Sequence, residues 1–218
     1  MPDVSVASAA RRYRRCEPRH RWYARCKYHL DPIYAVAAGH ARPGTRTLDL
    51  GAGLNLLAVL LHELGEGRRA EGVERDGAKV GAARRAAPEV PIVEADLVDL
   101  PPLEPADLVT LIDVLHCFPA AAVERVLDAA CALLAPRGTL LVRETTADSR
   151  AGWTRTLERV AIAAGWNAAD EVRFFEAGEL CARLESRGLV VSERDVSGPL
   201  HPGNRLYVAR RRASVSAA

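Results

Sequence analysis

The chain has 218 residues, 49 % of them hydrophobic and 27 % charged, and a net charge of +2. That length suits one α/β domain with a sizeable core, and so small a net charge excludes a whole-molecule nucleic-acid signature. The five cysteines show no C-x-x-C pair, which argues against a zinc site or a disulfide framework and for reduced thiols in a cytoplasmic protein. No apolar run approaches the roughly 20 residues of a membrane span, and residues 1–10 lack the apolar region of a signal peptide.

Residues 1–9 are small and polar and are expected to fray. The stretch 11–27 carries Arg11, Arg12, Arg14, Arg15, Arg19, Arg21, Arg25 and Lys27 against a single acid, Glu17. Tyr13, Trp22, Tyr23 and Tyr28 are interleaved with these cations. Pro18 is expected to divide the stretch into two short helices. Asp31 then caps a further helix over 33–38, with Pro32 in its first turn. Three readings of the basic stretch stand side by side. It is a solvated amphipathic helix with its aromatics in the core, or a cap over a substrate pocket faced by Tyr23, Tyr28 or Tyr34. The third reading is a docking face for an acidic partner: RNA, an anionic membrane or an acyl carrier protein. Aromatics among arginines also suit stacking on single-stranded bases.

Residues 47–50 read as a buried parallel strand interrupted only by Asp49. The turn Gly51-Ala52-Gly53 and a helix over 54–64 follow, the first half of a nucleotide-binding βαβ unit. A dinucleotide fingerprint would place glycine where Leu56 stands. The carboxylate of Asp49 before the turn also argues against a phosphate and for a ligand with a positive end. A second strand over 70–74 ends in Glu74-Arg75-Asp76. Glu74 stands where an acidic residue binds ribose hydroxyls, and a carboxylate accepts from two vicinal hydroxyls at once. A helix over 77–87 stops at Pro88, and a third strand over 91–94 leads into Ala95-Asp96-Leu97.

The fourth strand, 107–112, runs into Asp113-Val114-Leu115-His116-Cys117-Phe118-Pro119. His116 is a candidate general base, since its reference pKa is about 6.5; its alternative role is to orient this loop. A helix over 120–134 is closed by Pro136-Arg137-Gly138, and a fifth strand over 139–142 ends in Arg143-Glu144. These two either pair with each other or touch substrate. The segment 149–175 is an insertion expected over the crevice beyond the carboxyl ends of these strands, with Trp153, a helix over 154–164, Trp166 and Phe174-Phe175. Its tryptophans serve as core anchors or line an apolar pocket. A helix over 176–186 and strands over 189–196 and 205–210 complete the domain, the last two joined by a loop carrying His201. Residues 212–218 are a tail.

Asp49-Leu50-Gly51-Ala52-Gly53 resembles the first motif of the class I S-adenosylmethionine-dependent methyltransferases, and Asp113-Val114-Leu115-His116 resembles the fourth. Many members have a third glycine where this chain has Asn55, a residue that tolerates left-handed backbone angles. The resemblance covers residues 45–211. It implies an α/β, Rossmann-like sheet of seven mostly parallel strands with helices on both faces. The last strand would lie antiparallel between the fifth and sixth, and residues 1–44 would form an N-terminal helical cap.

It also implies S-adenosylmethionine as cofactor and S-adenosylhomocysteine as product. Asp49, Gly51, Ala52, Gly53 and Asn55 would hold the methionine end, Glu74 with its neighbour Arg75 the ribose, and Asp96 with Leu97 the adenine. Asp113 and His116 would lie where the methyl group is delivered by direct displacement. His201 would reach the same face as a second candidate base, and Glu144 and Trp153, on the second of the readings given for each above, are candidates for substrate contact. No metal is required, and no metal-ligand motif is present. The expected acceptor is a small phenolic, carboxylic or carrier-bound acyl molecule. Two alternatives remain: RNA or protein methylation through the basic N-terminus, and a non-catalytic binding module. The absence of Asn-Pro-Pro-Tyr and Pro-Cys segments after the fourth strand argues against the usual base methylation but leaves ribose and protein targets open.

Overall fold

The computed structural model describes residues 2–147, 174–198 and 203–212. Trp153, Trp166, His201 and the helix expected over 154–164 lie outside the described residues.

Seven strands form one sheet in the order β3-β2-β1-β4-β5-β7-β6. They are β1 (Arg46–Leu50), β2 (Arg69–Glu74), β3 (Ile92–Glu94), β4 (Ala106–Ile112), β5 (Leu134–Thr145), β6 (Leu189–Asp195) and β7 (Asn204–Arg211). Strands β1 to β5 run parallel, and β7 is antiparallel to both β5 and β6. The order reverses at β1, with β2 on one side and β4 on the other. Ligands of open α/β sheets sit at such a switch point, beyond the carboxyl ends of the strands.

Successive residues of a strand point to opposite faces, and each face of this sheet has its own core. Leu48, Leu50, Val109, Leu111 and Val142 pack with Val123, Val126 and Leu127 of α6 (Ala120–Ala132) and with Leu180 and Leu184 of α7 (Glu179–Glu185). Leu108, Leu141 and Leu206 face the other way, into a cluster with α4 (Leu56–Leu64) and the N-terminal helices. Helix α5 (Gly77–Ala86) also lies on that side, and Asp76 caps it by accepting from the amides of Ala78 at 2.9 Å and Lys79 at 3.3 Å.

The N-terminus differs from expectation. Residues expected to fray belong to α1 (Pro2–Arg12), which buries Ala9 completely and lies against α4. The Glu63 carboxylate of α4 accepts from Ser8 and, at 2.7 Å, from Arg12. A 3-10 turn (Tyr13–Arg15) follows, then α2 (Pro18–Leu30) with Pro18 in its first turn, then α3 (Ile33–His40). Periodicity over the first ten residues is masked by Ala and Ser, which pack against a neighbour without announcing a stripe.

A second difference lies at β5. Pro136 and Gly138, read as a helix-closing loop, fall inside a twelve-residue strand. The pairing with β4 slips there, from Ala106↔Leu134 to Leu108↔Thr139. A bulge admits proline because one ladder position is left unpaired.

The β1–α4 turn fits against β2 only because residue 72 has no side chain. A Cβ on Gly72 would lie 2.2 Å from the Asn55 Oδ1 and 2.7 Å from the Ala52 Cβ. Gly72→Ala is expected to lower stability by roughly 1–3 kcal/mol through overpacking. Urea unfolding followed by circular dichroism checks this; an unchanged midpoint would contradict it.

Candidate functional site

The turn after β1 is held from below. The amides of Gly51 and Ala52 donate to the Val73 carbonyl of β2 at 2.8 and 2.9 Å. Gly51 has φ +79°, and a Cβ there would lie 2.4 Å from a methyl of Val114. Asn55 takes left-handed angles, φ 62° and ψ 32°. Its amide nitrogen donates to the Pro91 carbonyl at 3.1 Å. The side chain at the expected third-glycine position is therefore turned into the protein, and Asn55 serves the turn through its backbone.

This turn borders a cavity of about 300 Å³ at the carboxyl ends of β1, β2 and β4. Asp49, Gly51, Ala52, Gly53, Glu74, Arg75, Leu97 and Asp113 line it, joined by Tyr23 and Tyr34 from the N-terminal helices. Alternation along β1 sends Leu48 and Leu50 into the α6-side core and Asp49 to the cavity face. Asp49 is buried and accepts from the Thr110 hydroxyl at 2.5 Å, across the β1–β4 pair. Burial pushes its carboxyl up to about 6, against the lowering effect of that hydrogen bond and with a smaller upward push from Glu74. Glu74 is also buried. Its two oxygens accept from the amides of Gly53 and Asp76, each at 2.9 Å, so one carboxylate ties the β1–α4 turn to the β2–α5 turn.

Asp96 stands at the rim rather than in the lining. One oxygen accepts from the Val98 amide at 3.0 Å, and the other lies 3.8 Å from Arg75. Tyr28 does not face the cavity as expected. Its hydroxyl donates to the Leu56 carbonyl at 2.7 Å, and its ring packs edge-on against Tyr34 at 5.5 Å. Tyr13 repeats the device with the Leu54 carbonyl at 2.7 Å. These tyrosines pin the N-terminal helices to α4, because a buried hydroxyl must find an acceptor.

The loop after β4 is gripped from both faces of the sheet by two adjacent residues of β5. Arg143 is fully buried, points to the face of the N-terminal helices, and is ion-paired with both Asp31 and Asp113. Lys27 closes the group at 2.9 Å from Asp31 and 3.4 Å from Asp113. Burial alone would raise the Asp31 carboxyl, but Lys27 and Arg143 outweigh it and hold the group at about 2. Burial likewise works against the charge on Arg143, and Asp113 and Asp31 overcome it and raise its pKa. Asp31 thus does more than cap: besides accepting from the Ile33 amide at 3.1 Å, it joins the N-terminal helices to β5.

Glu144 points to the opposite face. It accepts from the amides of Val114 at 2.9 Å and Leu115 at 2.6 Å, and from His116 Nδ1 at 2.8 Å. Burial would lower the His116 pKa, but the adjacent Glu144 raises it well above the ordinary value. His116, the candidate general base, thus has its Nδ1 engaged by Glu144. The carboxylate at Nδ1 orients the ring, and neither His116 nor Glu144 is among the residues that line the cavity. Nor do Arg143 and Glu144 pair with each other, since neighbours on a strand face apart.

Sequence reading missed Lys27, Asp31 and Thr110. Lys27 was one cation among eight, and Thr110 looked like any β-branched strand residue. An arginine directly after the apolar run 139–142 was the available signal, since such a buried charge requires partners.

A seven-stranded sheet with an inserted antiparallel β7, and a glycine turn over a carboxylate-lined cavity at its switch point, define a Rossmann-like methyltransferase fold. A family model described as a methyltransferase domain matches residues 18–193, and the chain belongs to that family. Among solved structures it is similar to an O-methyltransferase family protein from Burkholderia thailandensis, with 20 % identity and a TM-score of 0.67, over 94 % of this chain and 62 % of that one. It is also similar to magnesium protoporphyrin IX methyltransferase from Synechocystis PCC 6803, solved with bound SAH, with 20 % identity and a TM-score of 0.62, over 82 % of this chain and 80 % of that one. The pyocyanin biosynthetic protein PhzM gives 21 % identity and a TM-score of 0.63, over 94 % of this chain and 61 % of that one. This chain therefore spans less than two thirds of the length of the first and third of these proteins. No curated protein matches the sequence significantly.

Arg143→Leu takes from Asp31 and Asp113 the buried guanidinium they share, and is expected to cost about 3–5 kcal/mol. Chemical denaturation measures it. A loss below about 1 kcal/mol would mean that the ion pairs are mere surface-like contacts.

Proposed function

We propose that this chain transfers a methyl group from S-adenosylmethionine to a small molecule bearing a phenolic, carboxylic or carrier-bound acyl group. The carrying observation is that two buried carboxylates, Asp49 and Glu74, flank the Gly51–Gly53 turn in one cavity. A phosphate at the turn would be repelled by Asp49, and a ribose 2′-phosphate by Glu74. The cofactor fits the donor set: the Asp49 carboxyl, held high by burial, gains from a cationic ligand end, and Glu74 offers acceptors for ribose hydroxyls. The similar magnesium protoporphyrin IX methyltransferase has been solved with SAH and with SAM.

In this reading Asp49, Gly51, Ala52 and Gly53 hold the methionine end. Asn55 fixes their turn, Glu74 and Arg75 hold the ribose, and Leu97 covers the adenine with Asp96 at its edge. The cofactor supplies a methyl group already activated on a sulfonium. The protein then has to position the acceptor and exclude water. Asp113 borders the methyl-transfer point, and Arg143 and Glu144 fix the loop that carries it. Tyr23 and Tyr34 close the cavity from the N-terminal helices. Residues 1–44 act as a cap on a cofactor-binding domain of residues 45–211. An acidic partner, such as an acyl carrier protein at residues 11–27, belongs to the same reading, as does a cytoplasmic setting for five free thiols.

Asp49 makes cofactor affinity pH-dependent. A carboxyl at about 6 is mostly protonated at pH 5 and mostly ionised at pH 7. Affinity for the cationic ligand should therefore be roughly tenfold weaker at pH 5 than at pH 7, and level above pH 7. The same raised pKa makes Asp49 oppose folding as pH rises from about 4 to 6. Asp49→Asn is expected to flatten the affinity profile. Calorimetry at the two pH values checks this, and a flat wild-type profile would remove Asp49 from the site.

The acceptor class is read with methyl-labelled S-adenosylmethionine and an extract of the source cells. Label is expected among small molecules. Label in RNA or protein instead would replace this reading with macromolecular methylation. No label together with no calorimetric binding of the cofactor would leave a binding module on the same fold.

A further inference from the structure

Helix α2 has two working faces. Arg19, His20, Tyr23 and Lys27 line the cavity. The opposite face carries Arg21, Trp22, Arg25 and His29 and forms, with Arg11 and Arg14 of the preceding segment, the wall of a separate groove of about 860 Å³. No acidic residue lines this groove among the described residues. Its arginines are exposed, and none of the four is in an ion pair among the described residues, in contrast to Arg12 and Arg19. Trp22 is 69 % exposed and Leu30 42 % exposed, both at the same groove. Unneutralised cations around exposed apolar side chains are stabilised by a partner that brings carboxylates and an apolar surface together.

Three polyanions share part of that chemistry, and the shape separates them. Single-stranded nucleic acid uses successive aromatic platforms. Of the four aromatics interleaved with the arginines, Tyr13 and Tyr28 are buried, Tyr23 lines the cavity, and only Trp22 is presented. A lipid surface is broad, whereas these cations stand on the walls of a concavity. A narrow acidic element, such as one helix of a protein, fits between the walls and meets Trp22 with its apolar side.

We infer that this groove docks an acidic carrier protein that presents the methyl acceptor on a tether. The two faces of α2 are one helix apart, about 10–12 Å with side chains. A carrier seated on the outer face therefore holds its tethered group within a short reach of the cavity on the inner face. The inference rests on the proposed methyl transfer for its purpose, but the docking itself does not require it. Electrostatic steering by the arginines would speed encounter and make binding strongly salt-dependent.

The test uses a phosphopantetheinylated acyl carrier protein, an oligouridine 12-mer and phosphatidylglycerol–phosphatidylcholine vesicles as probes, with calorimetry at low and at physiological salt. The carrier protein is expected to bind the wild-type chain more tightly than either other probe. R21E/R25E is expected to weaken it by roughly tenfold or more, with unchanged melting temperature and unchanged S-adenosylmethionine affinity. Absence of carrier binding to the wild type, equal binding by the double variant, or tighter binding of the oligouridine or the vesicles would each overturn the inference. Carrier binding that survives while the wild type binds no S-adenosylmethionine would sink the methyl-transfer reading and leave the docking groove standing.

Discussion

The arrangement depends on a buried guanidinium. Arg143 sits at the end of β5 with no solvent around it, so it is held there only because two carboxylates meet it. One of them, Asp113, belongs to the loop after β4. The other, Asp31, belongs to the junction of α2 and α3. A single side chain therefore fixes the distance between the sheet and the helices that roof the cavity. A purely apolar contact would allow sliding; charge pairing in a low dielectric does not, because a small displacement exposes an uncompensated ion.

Next to it, Glu144 holds the same loop from the other face through two amides and His116. The pair explains why the loop can take a demanding shape. Asp113 has φ +55°, a left-handed value that costs a non-glycine residue of order 1 kcal/mol or more. Bonds on both sides of the sheet hold that conformation. Cavity and scaffold are thus one device, with Asp49 and Thr110 paired across β1 and β4 and Glu74 tying two turns together.

The N-terminal helices work by division of labour. Tyr13 and Tyr28 spend their hydroxyls on carbonyls of the α4 region and fix the helices in place. Tyr23 and Lys27 face the cavity, and among the described residues no acid lines the groove that holds the arginines of the outer face. A stretch that reads as uniformly basic and aromatic is sorted by helix geometry into an anchor, a roof and an exposed cationic wall.

The sheet, its strand sequence and the glycine turn were legible from one chain because local signals carry them: apolar runs, glycines at a strand end, and an acid about two dozen residues further on. Asp49 and Glu74 were readable for the same reason, being fixed by their offsets from that turn. The bulged start of β5 and the helix at residues 2–12 were not, since both arise from pairing or packing with distant partners. The fates of Tyr28, His116 and Arg143 were equally hidden. Their types permit several roles, and which one holds depends on whether Leu56, Glu144 or Asp31 stands within about 3 Å. Sequence by itself determined the order of the elements and the chemistry at the ends of β1 and β2, because those follow from residues adjacent along the chain. Tertiary structure decided which charges are neutralised and which face outward, because that is settled by neighbours far away in sequence.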